Sequence, residues 1–284
     1  MKKIIVWLTV LLFVVLFAVS CSVESAVTTE NTTKTTEITT TPKETVMTTE
    51  TTTAVTTATA VPVTTTTPAT TEDNTPKVYP LDGKTFMFLG SSVTYGSASG
   101  GKSFVEFIKL QGNCNVIKEA VSGTTLVDNG DSSYVKRFEN NLVAKYKDTK
   151  VDHLIVQLST NDATQKKPLG KVIKSTSKTA MNTASILGAI EYIVAVAKET
   201  WGCEVSFYTG TKYESDLYGK MVEALYEVQK KWGIGIIDLW NDEEMNAVSE
   251  ADYKRYMSDS IHPTLLGYRV WWTPKFIAHL EQYK

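Results

Sequence analysis

Short apolar runs that alternate with longer amphipathic stretches restrict the fold of residues 78–284 more than any other feature of the sequence. Each run has four to six residues, and the amphipathic stretches repeat apolar residues near the helical period. The runs predict strands at residues 85–89, 115–118, 153–158, 204–208 and 234–239. The stretches predict helices from about residue 103 and at 133–146, 183–201, 215–232 and 264–282. This order is typical of an α/β fold, in which helices flank a parallel sheet.

Residues 1–20 have the composition of an export signal. Lys2 and Lys3 precede an apolar run that reaches Val19, and small residues stand at its end. Cys21 follows directly, and the segment resembles a bacterial lipobox, which implies cleavage before Cys21 and acylation of its thiol. Acyl chains would anchor the protein to a membrane. The alternatives are a plain signal peptide followed by an incidental cysteine, and an uncleaved signal anchor.

Residues 21–77, here called the stalk, are rich in threonine with interspersed prolines, and they contain no aromatic side chain. Such a segment cannot bury enough surface to offset the entropy of ordering, so we predict that it is disordered. Segments of this composition are often O-glycosylated. A flexible coil of this length spans about 40 Å on average. The stalk is therefore either a spacer that holds a catalytic domain away from a membrane or a linker of no particular length.

The formal net charge of −2 is unevenly distributed along the chain. Residues 78–284 have equal numbers of basic and acidic side chains, whereas the stalk is acidic. A neutral domain lacks the basic surface that nucleic acids attract. We therefore expect no nucleic-acid partner, and contact with a membrane only through the N-terminal lipid.

Four short polar segments follow predicted strands or precede the last predicted helix, at the edge where parallel sheets bind ligands. They are G-S-S-V-T at residues 90–94, V-S-G-T-T at 121–125, S-T-N-D at 159–162 and D-S-I-H-P at 259–263. The Ser92 hydroxyl becomes a nucleophile when an imidazole removes its proton, and His262 offers that imidazole. Asp259, three residues before His262, can reach the other ring nitrogen. These residues predict a catalytic triad for acyl transfer.

Acyl transfer also needs hydrogen-bond donors for the oxyanion of the tetrahedral intermediate. The backbone N–H groups of Ser92 and Gly123 and the side-chain amide of Asn161 are the candidates. Each segment alone is weak evidence. Together, a nucleophile, a base and oxyanion donors at strand ends favour an enzyme.

In these four segments, and over nearly all of residues 84–270, the chain resembles the SGNH/GDSL hydrolase family. The resemblance implies a flavodoxin-like three-layer α/β/α fold with a five-stranded parallel sheet, and esterase or lipase activity. It implies the same site residues, namely Ser92 as nucleophile, Asp259 and His262 as its partners, and Gly123 and Asn161 as oxyanion donors. Ser91 stands where the family's name-giving motif has Asp, and Ser159 stands where its third block usually has Gly. Neither departure removes a catalytic atom.

Cys114 and Cys203 each stand at the start of a predicted strand. Export favours disulfides, but this fold would separate the two strands by roughly 14 Å, at about 4.8 Å per strand spacing. Because a disulfide requires Cα atoms within about 7 Å, we expect none here. These two cysteines and the three histidines never occur at C-x-x-C or H-x-x-x-H spacing, so no metal and no cofactor are predicted.

Other residues compete for roles in the site. His153 and His279 are more often structural. Asp162 could orient the base but is expected to support its own loop, and Asp238 is a substitute acid ranked below Asp259. Aromatic residues of the last predicted helix could line an acyl or sugar pocket, although their spacing is more typical of a core: Tyr268, Trp271, Trp272 and Phe276.

Together these features predict an extracytoplasmic serine esterase, either lipid-anchored or fully secreted. Export, the stalk and the lack of an apolar lid segment favour an O-acyl ester on carbohydrate, with acetyl as the preferred acyl group. One alternative is a lipid-directed esterase, lysophospholipase or thioesterase. Another is a non-catalytic surface-binding protein on a hydrolase scaffold, which the intact triad residues argue against. The sequence leaves the acyl group, the alcohol and the oligomeric state open.

Overall fold

A five-stranded parallel sheet organises residues 78–283, which are the residues that the computed structural model describes. The predicted export signal, Cys21 and the stalk lie outside the described residues. The strands are β1 Thr85–Gly90, β2 Asn115–Ala120, β3 His153–Gln157, β4 Glu204–Tyr208 and β5 Gly235–Ile237. Their order in the sheet is β2-β1-β3-β4-β5. The predicted fold class is confirmed.

The parallel register places the carboxyl ends of the strands at one edge of the sheet. Gly90 at the end of β1 lies opposite Ala120 at the end of β2, and Gln157 at the end of β3 lies opposite Tyr208 at the end of β4. Segments that follow these strands therefore start close to one another, as the sequence predicts.

Helices connect the strands and cover both faces of the sheet. The α-helices are α1 Ser92–Tyr95, α2 Phe104–Gly112, α3 Tyr134–Arg137, α4 Ala144–Tyr146, α5 Thr160–Thr164, α6 Ile186–Trp201, α7 Asp216–Trp232, α8 Glu243–Asn246, α9 Glu250–Tyr256, α10 Leu265–Gly267 and α11 Thr273–Leu280. A π-helical segment, Phe138–Val143, joins α3 to α4, and another, Tyr268–Trp272, joins α10 to α11. Short 3₁₀ turns occupy Ser97–Ser99, Lys178–Ala180 and Glu281–Tyr283. Within residues 78–283, every helix is too short or too polar to cross a bilayer.

Alternating strand residues supply two apolar cores. Met87 and Leu89 of β1 pack with α3, α6 and α7 on one face of the sheet. Phe86 and Phe88 pack on the other face with α2 and α11, where the rings of Phe104 and Phe276 are stacked. Burial of large side chains at roughly 1.5–3 kcal/mol each makes these cores the main source of stability.

The helix predicted at 264–282 is divided into α10, the π-helical segment and α11. Pro274 lacks an N–H that could continue the helical pattern, and the Thr273 hydroxyl donates to the Tyr268 carbonyl at 2.7 Å. The helix therefore widens one turn before the proline. The polar segment at residues 159–162 also contains the start of a short helix, α5, because the Ser159 hydroxyl accepts the Asp162 N–H and caps the helix.

Cys114 and Cys203 are both free and buried. They precede β2 and β4, which are three positions apart in the sheet. Burial raises the pKa of each thiol to about 11. The thiols are therefore protonated and unreactive at neutral pH.

Candidate active site

Ser92, His262 and Asp259 form a continuous chain of hydrogen bonds at the carboxyl edge of the sheet. Ser92 begins α1 directly after β1, and the other two residues lie in the loop between α9 and α10. The Ser92 Oγ lies 2.8 Å from the His262 Nε2. The His262 Nδ1 lies 2.8 Å from the Asp259 Oδ2. The structure thus brings together all three residues of the predicted triad, in the order that transfer of the serine proton requires.

The loop that carries Asp259 fixes its carboxylate through its own backbone. The Asp259 Oδ1 accepts the N–H of Ile261 at 2.7 Å and the N–H of His262 at 2.8 Å. The Ser258 N–H donates to the His262 carbonyl at 2.8 Å and closes the turn. The carboxylate and the imidazole are therefore oriented toward each other by local geometry.

Asp259 is held in its ionised form. Partial burial acts to raise the pKa of this carboxyl, but hydrogen bonds from the Ile261 N–H and from the ring and backbone of His262 outweigh that effect and lower the pKa. The carboxylate is negative at neutral pH and can stabilise a protonated imidazole.

The turn that presents Ser92 is tightly packed. An ideal Cβ on Gly90 would lie 1.7 Å from the Thr94 Oγ1, so a side chain at position 90 cannot fit. The turn ends at Gly96, whose φ of 86° lies in the left-handed region. The Tyr268 hydroxyl donates to the Val93 carbonyl at 2.7 Å and ties the turn to the C-terminal helical segment. Ser92 itself is 7% exposed.

Two of the predicted oxyanion donors, Gly123 and Asn161, lie in segments that contact each other. Gly123 follows β2 with a φ of 80°, and Asn161 lies in α5 after β3. The Asn161 Nδ2 donates to the carbonyl of Thr124, the residue after Gly123, at 2.9 Å. Because an amide nitrogen carries two protons, this bond leaves one proton that can be donated to a substrate oxygen.

Asp162 supports the loop after β2 rather than its own loop alone. Its buried carboxylate accepts the N–H of Leu126 at 2.7 Å and the N–H of Val127 at 3.1 Å. Desolvation raises the pKa of Asp162, although these two hydrogen bonds and the Ser159 hydroxyl counteract it. Asp162 therefore fixes the loop that carries Gly123.

Asp162→Asn is expected to lower the free energy of unfolding by about 1–3 kcal/mol, because an amide offers one oxygen and leaves a buried N–H without an acceptor. Urea unfolding followed by circular dichroism measures the change. Asp131→Asn is the control, since Asp131 is exposed. Equal stability of the two variants would contradict this role for Asp162.

Sequence reasoning missed Arg137, which joins three parts of the site's framework. Its Nη2 donates to the Gly90 carbonyl and to the Thr124 Oγ1, both at 2.9 Å, and its Nη1 lies 3.0 Å from the Glu119 Oε1. Arg137 is 4% exposed. The sequence did contain one sign that Arg137 is buried, because position 137 falls on the same helical face as the apolar Tyr134.

The competing polar residues lie elsewhere. The carboxylate of Asp238 accepts from the Thr209 and Tyr226 hydroxyls and from Asn241, and none of these three partners belongs to the triad. His153 and His279 both contact the Ser206 hydroxyl, with Nε2–Oγ distances of 2.7 Å and 2.9 Å. Burial lowers the pKa of both rings, to about 3 for His153, so both are neutral at pH 7.

A three-layer α/β/α fold whose parallel sheet carries a hydroxyl, an imidazole and a carboxylate in contact at its carboxyl edge is that of an SGNH-type hydrolase. Residues 88–270 match the model of the GDSL-like Lipase/Acylhydrolase family. The chain belongs to this family and is a carboxylic ester hydrolase, which confirms the resemblance found in the sequence. No curated protein matches the chain.

Solved structures share the fold at low sequence identity. A protein from Lactobacillus plantarum aligns with a TM-score of 0.58 and 18% identity, over 72% of this chain and 99% of that one. A possible lipase from Chitinophaga pinensis aligns with a TM-score of 0.53 and 14% identity, over 70% and 98% of the two chains. A catalytic mutant of Axe2, an acetylxylan esterase from Geobacillus stearothermophilus, aligns with a TM-score of 0.50 and 14% identity, over 70% and 94%.

Proposed function

We propose that this protein is an exported serine esterase that removes O-acetyl groups from carbohydrate through an acyl-enzyme. Ser92 is the nucleophile, His262 the general base and acid, and Asp259 the residue that orients the imidazole. The observation that carries the proposal is the unbroken hydrogen-bond chain from the Ser92 Oγ through the imidazole to the Asp259 carboxylate.

In the first half-reaction the Ser92 Oγ bonds to the ester carbonyl carbon while its proton moves to the His262 Nε2. The oxyanion that forms accepts hydrogen bonds from the N–H of Ser92, the N–H of Gly123 and the amide of Asn161. The intermediate then collapses, the carbon–oxygen bond to the sugar breaks, and the departing alkoxide takes the proton from the imidazolium. An acetyl group remains on Ser92.

In the second half-reaction a water molecule attacks the acetyl carbon while the imidazole accepts its proton. Collapse of the second intermediate breaks the bond to the Ser92 Oγ, which recovers a proton from the imidazolium, and acetate leaves. Asp259 stays ionised throughout and holds the imidazole tautomer in which Nε2 can accept a proton.

The export signal, acylation of Cys21 and the stalk complete the proposal. They would place the catalytic domain outside the cytoplasm on a lipid-anchored spacer, where polysaccharides are within reach. One protein of the same fold is an acetylxylan esterase, and its substrate class is the one proposed for this chain.

A groove beside the triad loop supports a carbohydrate substrate. It has a volume of about 440 Å³, and its lining includes the aromatic residues Tyr253 and Trp271 together with Lys212 and Glu250. Desolvation raises the pKa of the Tyr253 phenol, and the negative charge of nearby Asp259 raises it further.

Four aromatic residues were predicted to lie either in the core or in a pocket. Trp271 is half-buried in this groove, whereas Trp272, Tyr268 and Phe276 are core residues. An aromatic face with polar groups at its rim matches the amphipathic surface of a sugar ring.

The full-length protein is expected to release acetate from acetylated xylan and to prefer short acyl chains on p-nitrophenyl esters. A hydroxyl-rich polymer suits the open, mixed-polarity groove, whereas a long acyl chain needs an extended apolar channel. Acetate is measured enzymatically, and initial rates are compared across chain lengths. Cleavage of only long-chain esters or lysophospholipids would rule out the carbohydrate assignment in favour of a lipid-directed esterase.

Trp271→Ala is expected to raise KM for acetylated polysaccharide about 2- to 10-fold, as loss of one aromatic contact of roughly 0.5–1.5 kcal/mol implies. The values of kcat and KM for p-nitrophenyl acetate should stay near those of the parent protein, because that ester has no sugar to contact the indole. Leu110→Ala is a matched control, since Leu110 is an exposed apolar residue on α2. An unchanged KM for the polymer would remove the groove from the substrate site.

A further inference from the structure

The side chain of Gln157 contacts the nucleophile turn from inside the sheet. Gln157 is the last residue of β3 and is 1% exposed. Its Oε1 lies 2.9 Å from the Ser91 backbone N, 3.3 Å from the Thr94 backbone N and 2.9 Å from the Thr94 Oγ1. These three donors lie on either side of Ser92 in the sequence.

The partners determine the orientation of the amide and the positions of the hydroxyl protons. Backbone N–H groups only donate, so the Gln157 oxygen, and not its NH₂ group, must face the turn. The Thr94 hydroxyl therefore donates to the same oxygen. Its own oxygen then accepts from the Tyr208 hydroxyl, 2.6 Å away. One directed chain of hydrogen bonds thus runs from β4 through the turn to β3.

Gln157 also caps the start of helix α1 in place of Ser91, the residue that precedes the helix. Ser91 is the residue before α1, but its side chain makes no capping hydrogen bond. The Thr94 N–H at the third position of the helix would normally bond to such a cap. The Gln157 oxygen accepts this N–H instead, and it accepts the N–H of Ser91 at the same time. The backbone on both sides of the nucleophile is therefore fastened to one atom of the sheet.

We propose that Gln157 is a positioning residue that holds the Ser92 Oγ within hydrogen-bond reach of His262. The inference rests on the proposed role of Ser92 as nucleophile. Gln157 acts by fixing the backbone of the turn, since its contacts are with Ser91 and Thr94 and not with the reacting atoms. A hydroxyl displaced by about 1 Å from its base can cost on the order of 10²-fold in rate.

The test compares two substitutions at position 157. Gln157→Leu keeps the volume but removes the acceptor, and it is expected to lower kcat for p-nitrophenyl acetate about 10²-fold, with KM within about twofold of the parent value. Gln157→Glu keeps an oxygen acceptor in either protonation state, and it is expected to recover most of the lost kcat and the lost rate of labelling by a fluorophosphonate probe. If Gln157 contributed only to stability, Gln157→Leu and Gln157→Glu would have the same kcat and the same labelling rate whenever their melting temperatures were equal.

Ile155→Ala is the matched control, because Ile155 is buried on the same face of β3 and contacts the core instead of the turn. It is expected to lower the melting temperature with little change in labelling rate per folded molecule.

If Gln157→Leu does not fold, Thr94→Val tests the same chain of hydrogen bonds, and a several-fold loss of kcat is expected. A labelling rate in Gln157→Leu or Thr94→Val equal to that of Ile155→Ala would overturn the positioning role. Full activity in Ser92→Ala would instead overturn the proposed function, so the two failures are distinguishable.

Discussion

Ser92→Ala is expected to lower kcat for p-nitrophenyl acetate by about 10⁶-fold and to abolish covalent labelling by a fluorophosphonate probe. Alanine keeps the backbone N–H that is proposed to serve the oxyanion but removes the hydroxyl that is proposed to form the acyl-enzyme. The imidazole then has no hydroxyl to deprotonate, and what remains is catalysis by the oxyanion donors and by binding.

The neighbouring serine provides the comparison. The Ser91 hydroxyl is buried directly before the nucleophile, and the oxygen that contacts the imidazole is that of Ser92. Ser91→Ala keeps the N–H that Gln157 accepts, so labelling should persist. Labelling that survives in Ser92→Ala and disappears in Ser91→Ala would exchange the roles of the two serines.

Asp259→Asn is expected to lower kcat by about 10⁴-fold while leaving the fold intact. The asparagine side chain can turn its NH₂ group toward the imidazole, which favours the tautomer that protonates Nε2, and Nε2 is the atom that must accept the serine proton.

Asp238→Asn is the matched control for this substitution. Asp238 is the substitute acid that the sequence offered below Asp259, and its contacts are with Thr209, Tyr226 and Asn241. Its substitution should leave kcat near the value of the parent protein. A loss of kcat in Asp238→Asn that matches the loss in Asp259→Asn would contradict the assignment of the acid.

The sequence predicted the parts of the fold whose pattern is local. The strand at 204–208 was placed at its observed bounds, since β-branched and aromatic residues there are followed directly by a polar segment. Helix α7 begins one residue later than predicted because Ser215 is its cap. The last strand was predicted three residues too long, because Leu239 is buried without being paired in the sheet.

Residues that act across the chain were harder to predict. Arg137 and Gln157 are polar residues on a helix and a strand, and each is buried because its partners come from segments distant in sequence. A single sequence gives the donor and acceptor types but not which distant groups will pair with them. Asp162 was expected to support its own loop, and its role in holding the loop after β2 became visible only when Leu126 and Val127 were placed beside it.

The separation of Ser92 from its base along the chain affects when activity can appear. The serine and the imidazole are 170 positions apart, and the bond from Tyr268 to Val93 spans 175 positions. A nascent polypeptide released before residue 262 would contain the Ser92 hydroxyl but not the imidazole that is proposed to deprotonate it. With His262 as the proposed base, hydrolysis would begin only after synthesis has passed residue 268 and the segment around Tyr268 has docked against the nucleophile turn.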